Sequence, residues 1–520
     1  MKKIHLVPTL IILTSVVLTL IPFLKPGLFD VHDPTSAFRL STLIGTIRSG
    51  QFPAAWNNNL NFGFGYPLHL YYAPLFTYLG AMFVPFISVE VAVKLALFIA
   101  SLVGSYGVYF LLSSIGSYAA TLAAVAFTFL PYRASALYVR GSYSEFLAMS
   151  LLPWVLYLWQ KPQKNTKTII LTGLVTALFI LSHNTLPILL VPIIILLIGL
   201  YQLKFIKGSF FAFLTTVGLS AWFILPVFFE RSFVQVEGVA RLTNFRDHFL
   251  ALSQLWSSPW GYGGSGTGIT NDHMSFMIGK GQLLLALLGA SAIIWQKKWK
   301  ILALYGSIVV LFVFLSLSSS SIIWQIVPML SLIQFPWRTL SMIGIGVAAL
   351  SGLSLTIIPQ RWQLITLLLF SSLLIYTNIK YFRPQEYRTY SAETLSNPTI
   401  LAPLARDKIP EYLPSWMPNF PGSAVEDGLS RTATTVSGTI ITSDTSPLTL
   451  STAYMPQWHL TLNGSPEPIK PNQAGLVTTI NDVHSGSNTI SLTWHRTLIE
   501  NLGLGISGIT IMVMIGLLLI

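Results

Sequence analysis

Apolar residues run unbroken over long stretches of this sequence, and polar residues gather in the gaps between them. The first stretch, Ile4 to Leu24, follows Met1-Lys2-Lys3 and is about the length that crosses a ~30 Å hydrocarbon core. No small-residue cleavage site follows it, so it reads as an uncleaved first helix with its N-terminus inside. Further apolar runs fall near 68–88, 92–112, 118–131, 146–160, 168–181, 185–201, 209–228, 280–295, 301–317, 339–357, 362–378 and 502–520. They predict an α-helical polytopic membrane protein with about 12–13 transmembrane helices.

One region breaks the pattern. Residues 379–501 are polar and rich in Thr, Ser, Pro and Asn, and from about Arg431 they alternate as strands do, as in Thr439–Thr442, Trp458–Leu462 and Thr489–Trp494. Asn463-Gly464 marks a hairpin, because both residues accept the positive φ of a type I′ turn. The organisation expected is a membrane domain over 1–378, a small β domain over 379–501 and a last membrane helix over 502–520. No internal repeat is evident, which argues against an inverted-repeat transporter.

Composition agrees. Of 520 residues, 53% are hydrophobic and 9% charged, where a soluble domain carries about a quarter charged residues, so soluble enzymes are excluded. There is no cysteine, hence no disulfide and no thiolate metal site. The net charge of +12 does not point to nucleic acid once the charges are placed: up to Asn378 there are 22 bases and 8 acids, while 379–520 has 8 bases and 10 acids.

Eleven bases and no acid occupy the N-terminus and four short loops: Lys2, Lys3, Lys161, Lys164, Lys167, Lys204, Lys207, Lys297, Lys298, Lys300 and Arg361. The positive-inside rule puts them in the cytoplasm. The stretch 68–131 must then cross an even number of times, so one of its three apolar runs does not span; the short 118–131 run and the Gly- and Pro-rich start near Phe62–Pro67 are the suspects. Loops 25–67, 132–145, 229–279 and 318–338 and the β domain all fall outside, with both termini inside the cell membrane's cytoplasmic face. The acids before Asn378 lie in those outer loops, Glu90 excepted.

The first outer loop reads Phe29-Asp30-Val31-His32-Asp33-Pro34, then Arg39, Gly50 and Trp56. Two carboxylates and an imidazole this close could deprotonate a hydroxyl or hold a divalent cation such as Mg or Mn, with Asp33, Glu145 and His32 as the ligands. Equally, Asp33-Pro34 is a good helix start, an N-cap followed by proline. The second loop carries Arg133 and Tyr138-Val-Arg140-Gly-Ser-Tyr-Ser-Glu145. Arginine suits a phosphate diester, which it can contact through two parallel hydrogen bonds, but it also marks membrane boundaries. Trp56, Trp256, Trp260 and Tyr262 are candidate sugar-stacking aromatics, although Trp and Tyr mark any membrane interface. His183-Asn184 and His273 beside Asp272 fit local hydrogen bonding, and Gly261–Gly268 fits a flexible loop that orders on substrate.

These residues resemble a known superfamily. Asp33-Pro34, Phe38-Arg39, Gly50, Trp56 and Tyr66-Pro67 are similar to the first outer loop of the GT-C glycosyltransferases, including the oligosaccharyltransferase catalytic subunit. Arg140-Gly-Ser-Tyr-Ser-Glu145 is similar to that subunit's second acidic motif. Over most of the chain the resemblance is to bacterial YfhO-type membrane proteins, through Gly63-Phe-Gly-Tyr-Pro67, Ser257-Ser-Pro-Trp-Gly-Tyr262, Phe335-Pro-Trp-Arg338 and Tyr454-Met-Pro-Gln-Trp458 with Asn463-Gly464.

The resemblance implies transfer of a sugar from a polyprenyl-phosphate donor, held in the bilayer, to a glycan, lipid or protein acceptor on the outer face. By position it gives Asp33, with Asp30, as the base and Glu145 as the second-loop acid. Arg140, Arg338 and Arg39 would meet the donor phosphate. The pattern also departs: Val31 stands where the oligosaccharyltransferase loop has an acid, and Ser144 where the second motif has Asp. A hard cation needs several carboxylate oxygens, so a metal-independent mechanism is the expectation. The rivals are a transporter, which would place ionisable residues inside the bilayer, where the apolar runs hold almost none apart from Glu90 and Lys94, and a non-catalytic scaffold displaying the β domain.

Overall fold

The computed structural model of the protein describes residues 6–58, 60–236, 238, 244–268, 271–396, 410–417 and 428–519. Lys2 and Lys3, two of the bases used for orientation, lie outside them. Among the described residues, six helices are long and apolar enough to cross a membrane: Val89–Leu112, Leu186–Phe229, Trp299–Ser316, Pro336–Ile357, Gln360–Tyr381 and Leu498–Leu519. Leu6–Thr19, Thr166–Ser182 and Lys280–Trp295 are apolar but shorter. Two of the apolar runs expected from sequence, 185–201 and 209–228, are joined by a π-helical turn at Ile198–Gln202 into the single long helical segment.

The run 68–88 is not one continuous helix. It is split into Leu68–Tyr71 and Leu75–Ala81, the second of which, at ~1.5 Å per residue, is only about 10 Å long. The suspected run 118–131 is instead an intact helix, Ser117–Thr128, that bends by 42° into Pro131–Tyr138. The bend has a local cause: Leu130 precedes a proline, which disfavours helical dihedrals, and it sits at φ −61°, ψ 127°. Every residue of Leu340–Leu353 is buried, so this helix forms the centre of the bundle, against Lys280–Trp295, Trp299–Ser316 and Ser117–Thr128.

The C-terminal strands form two antiparallel sheets. In the five-stranded sheet the order is Ser430–Arg431, Thr435–Thr442, Gly486–Trp494, Trp458–Leu462, Ser465–Glu467. In the three-stranded sheet it is Ser446–Ala453, Leu476–Val483, Ile469–Pro471. Asn463 and Gly464, at φ 52° and 83°, turn one strand back so that Leu462 faces Ser465, as the Asn-Gly pair predicts. Asn488, Ile490, Leu492 and Trp494 point inward along one strand, the period-2 burial of a sheet with one packed face.

This β region is seated on the first polar loop. The Trp56 ring is fully buried, 5.5 Å from Trp458 at 88° and 5.1 Å from Trp494 at 32°. Ala453 N donates to Phe64 O at 2.7 Å, and Arg496 Nη2 to Phe52 O at 2.7 Å. Gly65, at φ 90°, is required here, because a Cβ would come within 2.0 Å of the Trp56 ring. Truncating a buried tryptophan costs about 3–5 kcal/mol. Trp56→Ala is therefore expected to expose the 430–494 strands to limited proteolysis while the helices stay protected; a wild-type digestion pattern would refute the docking role.

Candidate active site

The segment Leu28–Asp33 is fixed by backbone pairing on both sides. Leu28 and Phe29 pair antiparallel with Arg388 and Tyr387, and Asp30 N donates to Glu386 O at 3.0 Å. On the other side His32 N donates to Val139 O and Asp33 N to Arg140 O, each at 3.0 Å. Gly141 permits this approach: its φ is +65°, and a Cβ there would lie 2.4 Å from Val31 Cγ2 and 2.7 Å from Asp33 O. The two polar loops are thus one unit, and Asp33 and the Arg140–Glu145 motif share one site.

Asp33 does not cap the next helix as the sequence suggests. That helix starts two residues after Pro34, over Ser36–Arg48. Asp33 Oδ1 accepts from Thr35 N at 3.2 Å and from the Thr35 hydroxyl, an Asx-type turn, and Oδ2 accepts from Arg39 Nη2 at 2.9 Å. The carboxylate is 28% exposed against 6% for Arg39, so it keeps a face open to solvent. The Arg39 guanidinium lies 4.0 Å over the Tyr72 ring, which stands edge-on to Tyr412 at 6.0 Å.

In the second loop Glu145 is fully buried. Its Oε2 accepts from Arg140 Nη1 at 2.8 Å and from Ser142 Oγ at 3.2 Å, and its Oε1 accepts from Tyr132 OH at 2.6 Å. Tyr132 OH in turn accepts from Arg140 Nη1 at 3.0 Å, so three side chains close a ring of hydrogen bonds. The Arg140 guanidinium sits 4.6 Å over Trp337, placing the Pro336-Trp-Arg338 segment beside the second loop. Arg338 Nη1 donates to Ile333 O at 2.7 Å, but its Nε has no hydrogen-bond partner and no carboxylate pairs with it among the described residues.

Sequence reasoning missed Tyr132, which completes the Arg140–Glu145 ring, and placed His183 elsewhere. His183 Nδ1 does serve local structure, accepting from Thr185 N and Leu186 N at 3.2 Å each. Yet the same ring lies within electrostatic range of Glu145, Arg338 and Arg140. Asn184 explains the placement: it accepts from Ala73 N and donates to Tyr71 O, both at 2.7 Å, tying this helix end to the first loop's far end. The spacing of a lone His-Asn pair carries no hint of that.

Burial pushes the His183 imidazole down to about 3, with Glu145 opposing it, and burial and then Arg39 push His69 down to about 3. An unfolded histidine takes up its proton near pH 6.5. Between about 6.5 and 3 the unfolded state therefore binds more protons, and stability falls as pH falls through that window. His69→Gln removes one of these two contributions, so the decline of melting temperature between pH 6.5 and 4.5 is expected to flatten; an unchanged slope would contradict the assignment.

The remaining candidates separate. Asp30 pairs with Arg388 at 2.8 Å, at the edge of the two-stranded ladder. His32 Nε2 lies 2.9 Å from Tyr262 O. Trp56, buried under the β region, has no face for a sugar and leaves the stacking set. Trp256 is 44% exposed with Lys280 Nζ 5.7 Å from its ring, while Trp260 and Tyr262 line a cleft. Asp33, Glu145 and His32 do not gather as a metal site: among the described residues no three His, Asp or Glu converge, and both carboxylates face arginines. That donor set does not fit a hard cation.

Fold and site define a helical membrane protein in which two polar loops and the segment before the central helix Leu340–Leu353 converge on a cluster of arginines, acids and aromatics. The chain belongs to the family described as "6-pyruvoyl-tetrahydropterin synthase related domain; membrane protein", matched over residues 69–384. No protein of curated function matches it significantly. Among solved structures it is similar to the arabinofuranosyltransferase AftD from Mycobacteria, at 15% identity and TM-score 0.44 over 76% of this chain and 27% of that one. It is also similar to ArnT from Cupriavidus metallidurans bound to undecaprenyl phosphate, at 14% identity and TM-score 0.42 over 71% of this chain and 63% of that one. The chain thus spans about a quarter of the first and under two thirds of the second.

Proposed function

We propose that this protein transfers a sugar from a polyprenyl-phosphate donor to an acceptor hydroxyl on the extracytoplasmic face of the cell membrane. The observation that carries the reading is the backbone pairing of the two polar loops, which sets a solvent-accessible carboxylate, Asp33, beside a cluster of guanidinium groups. In sequence these loops resemble the two acidic motifs of the GT-C glycosyltransferases.

The chemistry balances without a metal. The acceptor oxygen attacks the anomeric carbon and gives its proton to the Asp33 carboxylate. The bond from the anomeric carbon to the phosphate oxygen breaks, and its electron pair leaves with the polyprenyl phosphate. A single displacement of this kind inverts the anomeric centre. Of the three candidate phosphate-binding arginines, Arg39 is matched by Asp33 and Arg140 by Glu145, which leaves Arg338 with charge to offer the leaving phosphate. The buried Glu145 is better suited to hold Arg140 in place than to meet the acceptor.

One observation favours a non-catalytic scaffold instead: Asp30, Asp33 and Glu145 are all ion-paired with arginine. Deleting the gene separates the two. The transferase reading expects a sugar to disappear from one envelope glycan, lipid or glycoprotein, with the mutant phenotype uncorrected by an Asp33→Asn copy; a scaffold tolerates that substitution. Sidedness is tested independently on this cysteine-free chain: Ser49→Cys is expected to label from outside intact cells and Lys164→Cys only after lysis. Labelling of both from one side would overturn the orientation.

A further inference from the structure

Beside the paired loops lies an open cleft of about 480 Å³, walled by Trp260, Tyr262, Asp272, His273 and Gln385. We propose that this cleft binds a neutral saccharide, the acceptor of the transfer proposed above, on which its identification as acceptor rests. The volume falls within the range of small-molecule sites, about 300–1,000 Å³.

Its aromatic wall is held in place from behind. The Trp260 ring leans on Tyr381, with centroids 4.8 Å apart at 31°, and stands edge-on to Tyr262 at 6.3 Å and 89°. Tyr262 is itself anchored through its hydroxyl, which donates to Arg383 O at 3.0 Å. A fixed aromatic surface is what the apolar C–H face of a sugar ring packs against.

The polar side of the cleft points the same way. The exposed side chains of His273 and Gln385 make no hydrogen bond within the described protein. Asp272, in contrast, is held: Oδ2 accepts from Gln254 Nε2 at 2.8 Å and Oδ1 from Gly266 N at 3.1 Å, which fixes the loop that forms this wall. An imidazole and a carboxamide beside aromatic rings match hydroxyl groups. Among the described residues no lysine or arginine lines the cleft, and none of those that do selects a phosphate.

Position relates the cleft to the chemistry. Tyr262 O lies 2.9 Å from Nε2 of His32, the residue before Asp33, so the cleft wall and the loop bearing the carboxylate are directly joined. A sugar lying on Trp260 and Tyr262 would present its hydroxyls toward that loop, while the lipid donor approaches from the helices.

The test is saturation-transfer NMR on the full chain in lipid nanodiscs, with glucose, galactose, mannose, arabinose, cellobiose and maltose as probes and glucose 1-phosphate as the charged comparison. We expect transfer to the ring protons of at least one neutral sugar, and at least fivefold weaker binding in both Trp260→Leu and the double variant His273→Ala/Gln385→Ala. The double variant alters exposed side chains, so misfolding does not obscure its result. Absence of transfer to every neutral sugar, unchanged affinity in both variants, or preference for the sugar phosphate would overturn the proposal. Asp33→Asn should bind as wild type does. Sugar binding without sugar transfer would therefore uphold the cleft and sink the transferase reading, and transfer without sugar binding would do the reverse.

Discussion

Asp33→Asn is expected to lower sugar transfer by about 10²–10⁴-fold, the usual contribution of a positioned general base. The amide keeps much of the local structure, because its oxygen can still accept from Thr35 N and its volume is unchanged. What it cannot do is take a proton from the acceptor hydroxyl. The loss should therefore fall on kcat, with KM for the donor within a few-fold of wild type, since the proposed mechanism gives the donor phosphate to Arg338 rather than to Asp33. Glu at this position would keep the basic group but push it about one C–C bond further into the site, and a partial recovery is expected. Retention of transfer within fivefold of wild type in Asp33→Asn would assign the residue to the Arg39 ion pair alone.

The second large effect is on stability. Arg140→Ala removes the only ion-pair partner that Glu145 has among the described residues, and Glu145 is 0% exposed. Leaving such a carboxylate buried and uncompensated costs about 3–5 kcal/mol, whereas replacing both members of a buried pair by apolar groups of similar volume is often close to neutral. Thermal unfolding of Arg140→Ala should therefore drop sharply, and Arg140→Met/Glu145→Leu should recover most of the loss without restoring transfer. Equal stability of Arg140→Ala and wild type would mean that Tyr132 and Ser142 alone satisfy Glu145.

Much of this was legible in the sequence, for physical reasons that differ by region. Apolar runs and loop charge identify the membrane helices because a bilayer demands length and tolerates few ions. The hairpin at Asn463-Gly464 is visible because few residue pairs accept two positive φ values in succession. Asp33, Arg140 and Glu145 stand out because charge is scarce, and the motifs carrying them resemble known loops.

What the sequence hid depends on contacts between distant segments. Trp56 reads as a surface aromatic until Trp458 and Trp494 close over it. Gly141 reads as a loop glycine, yet it is the point where Val31 and Asp33 press against the second loop. The break at Ala73-Pro74 is weak in a hydrophobicity profile, because the residues on either side remain apolar, and so 68–88 reads as one continuous helix. Tyr132 and His183 join the site only through packing, the first by facing Glu145 from the preceding short helix and the second through Asn184. A cluster assembled from four separate stretches has no local pattern to find.

The most direct test of the central claim uses the purified protein in lipid vesicles with polyprenyl-phosphate sugars carrying a radiolabel in the sugar, alongside an extract of cell-envelope acceptors. With wild-type protein, label is expected to leave the lipid fraction and appear in an acceptor, with equimolar release of polyprenyl phosphate, whereas with Asp33→Asn it stays in the lipid. Label remaining in the lipid with wild-type protein for every donor sugar supplied, or moving equally well with Asp33→Asn, would contradict the central claim.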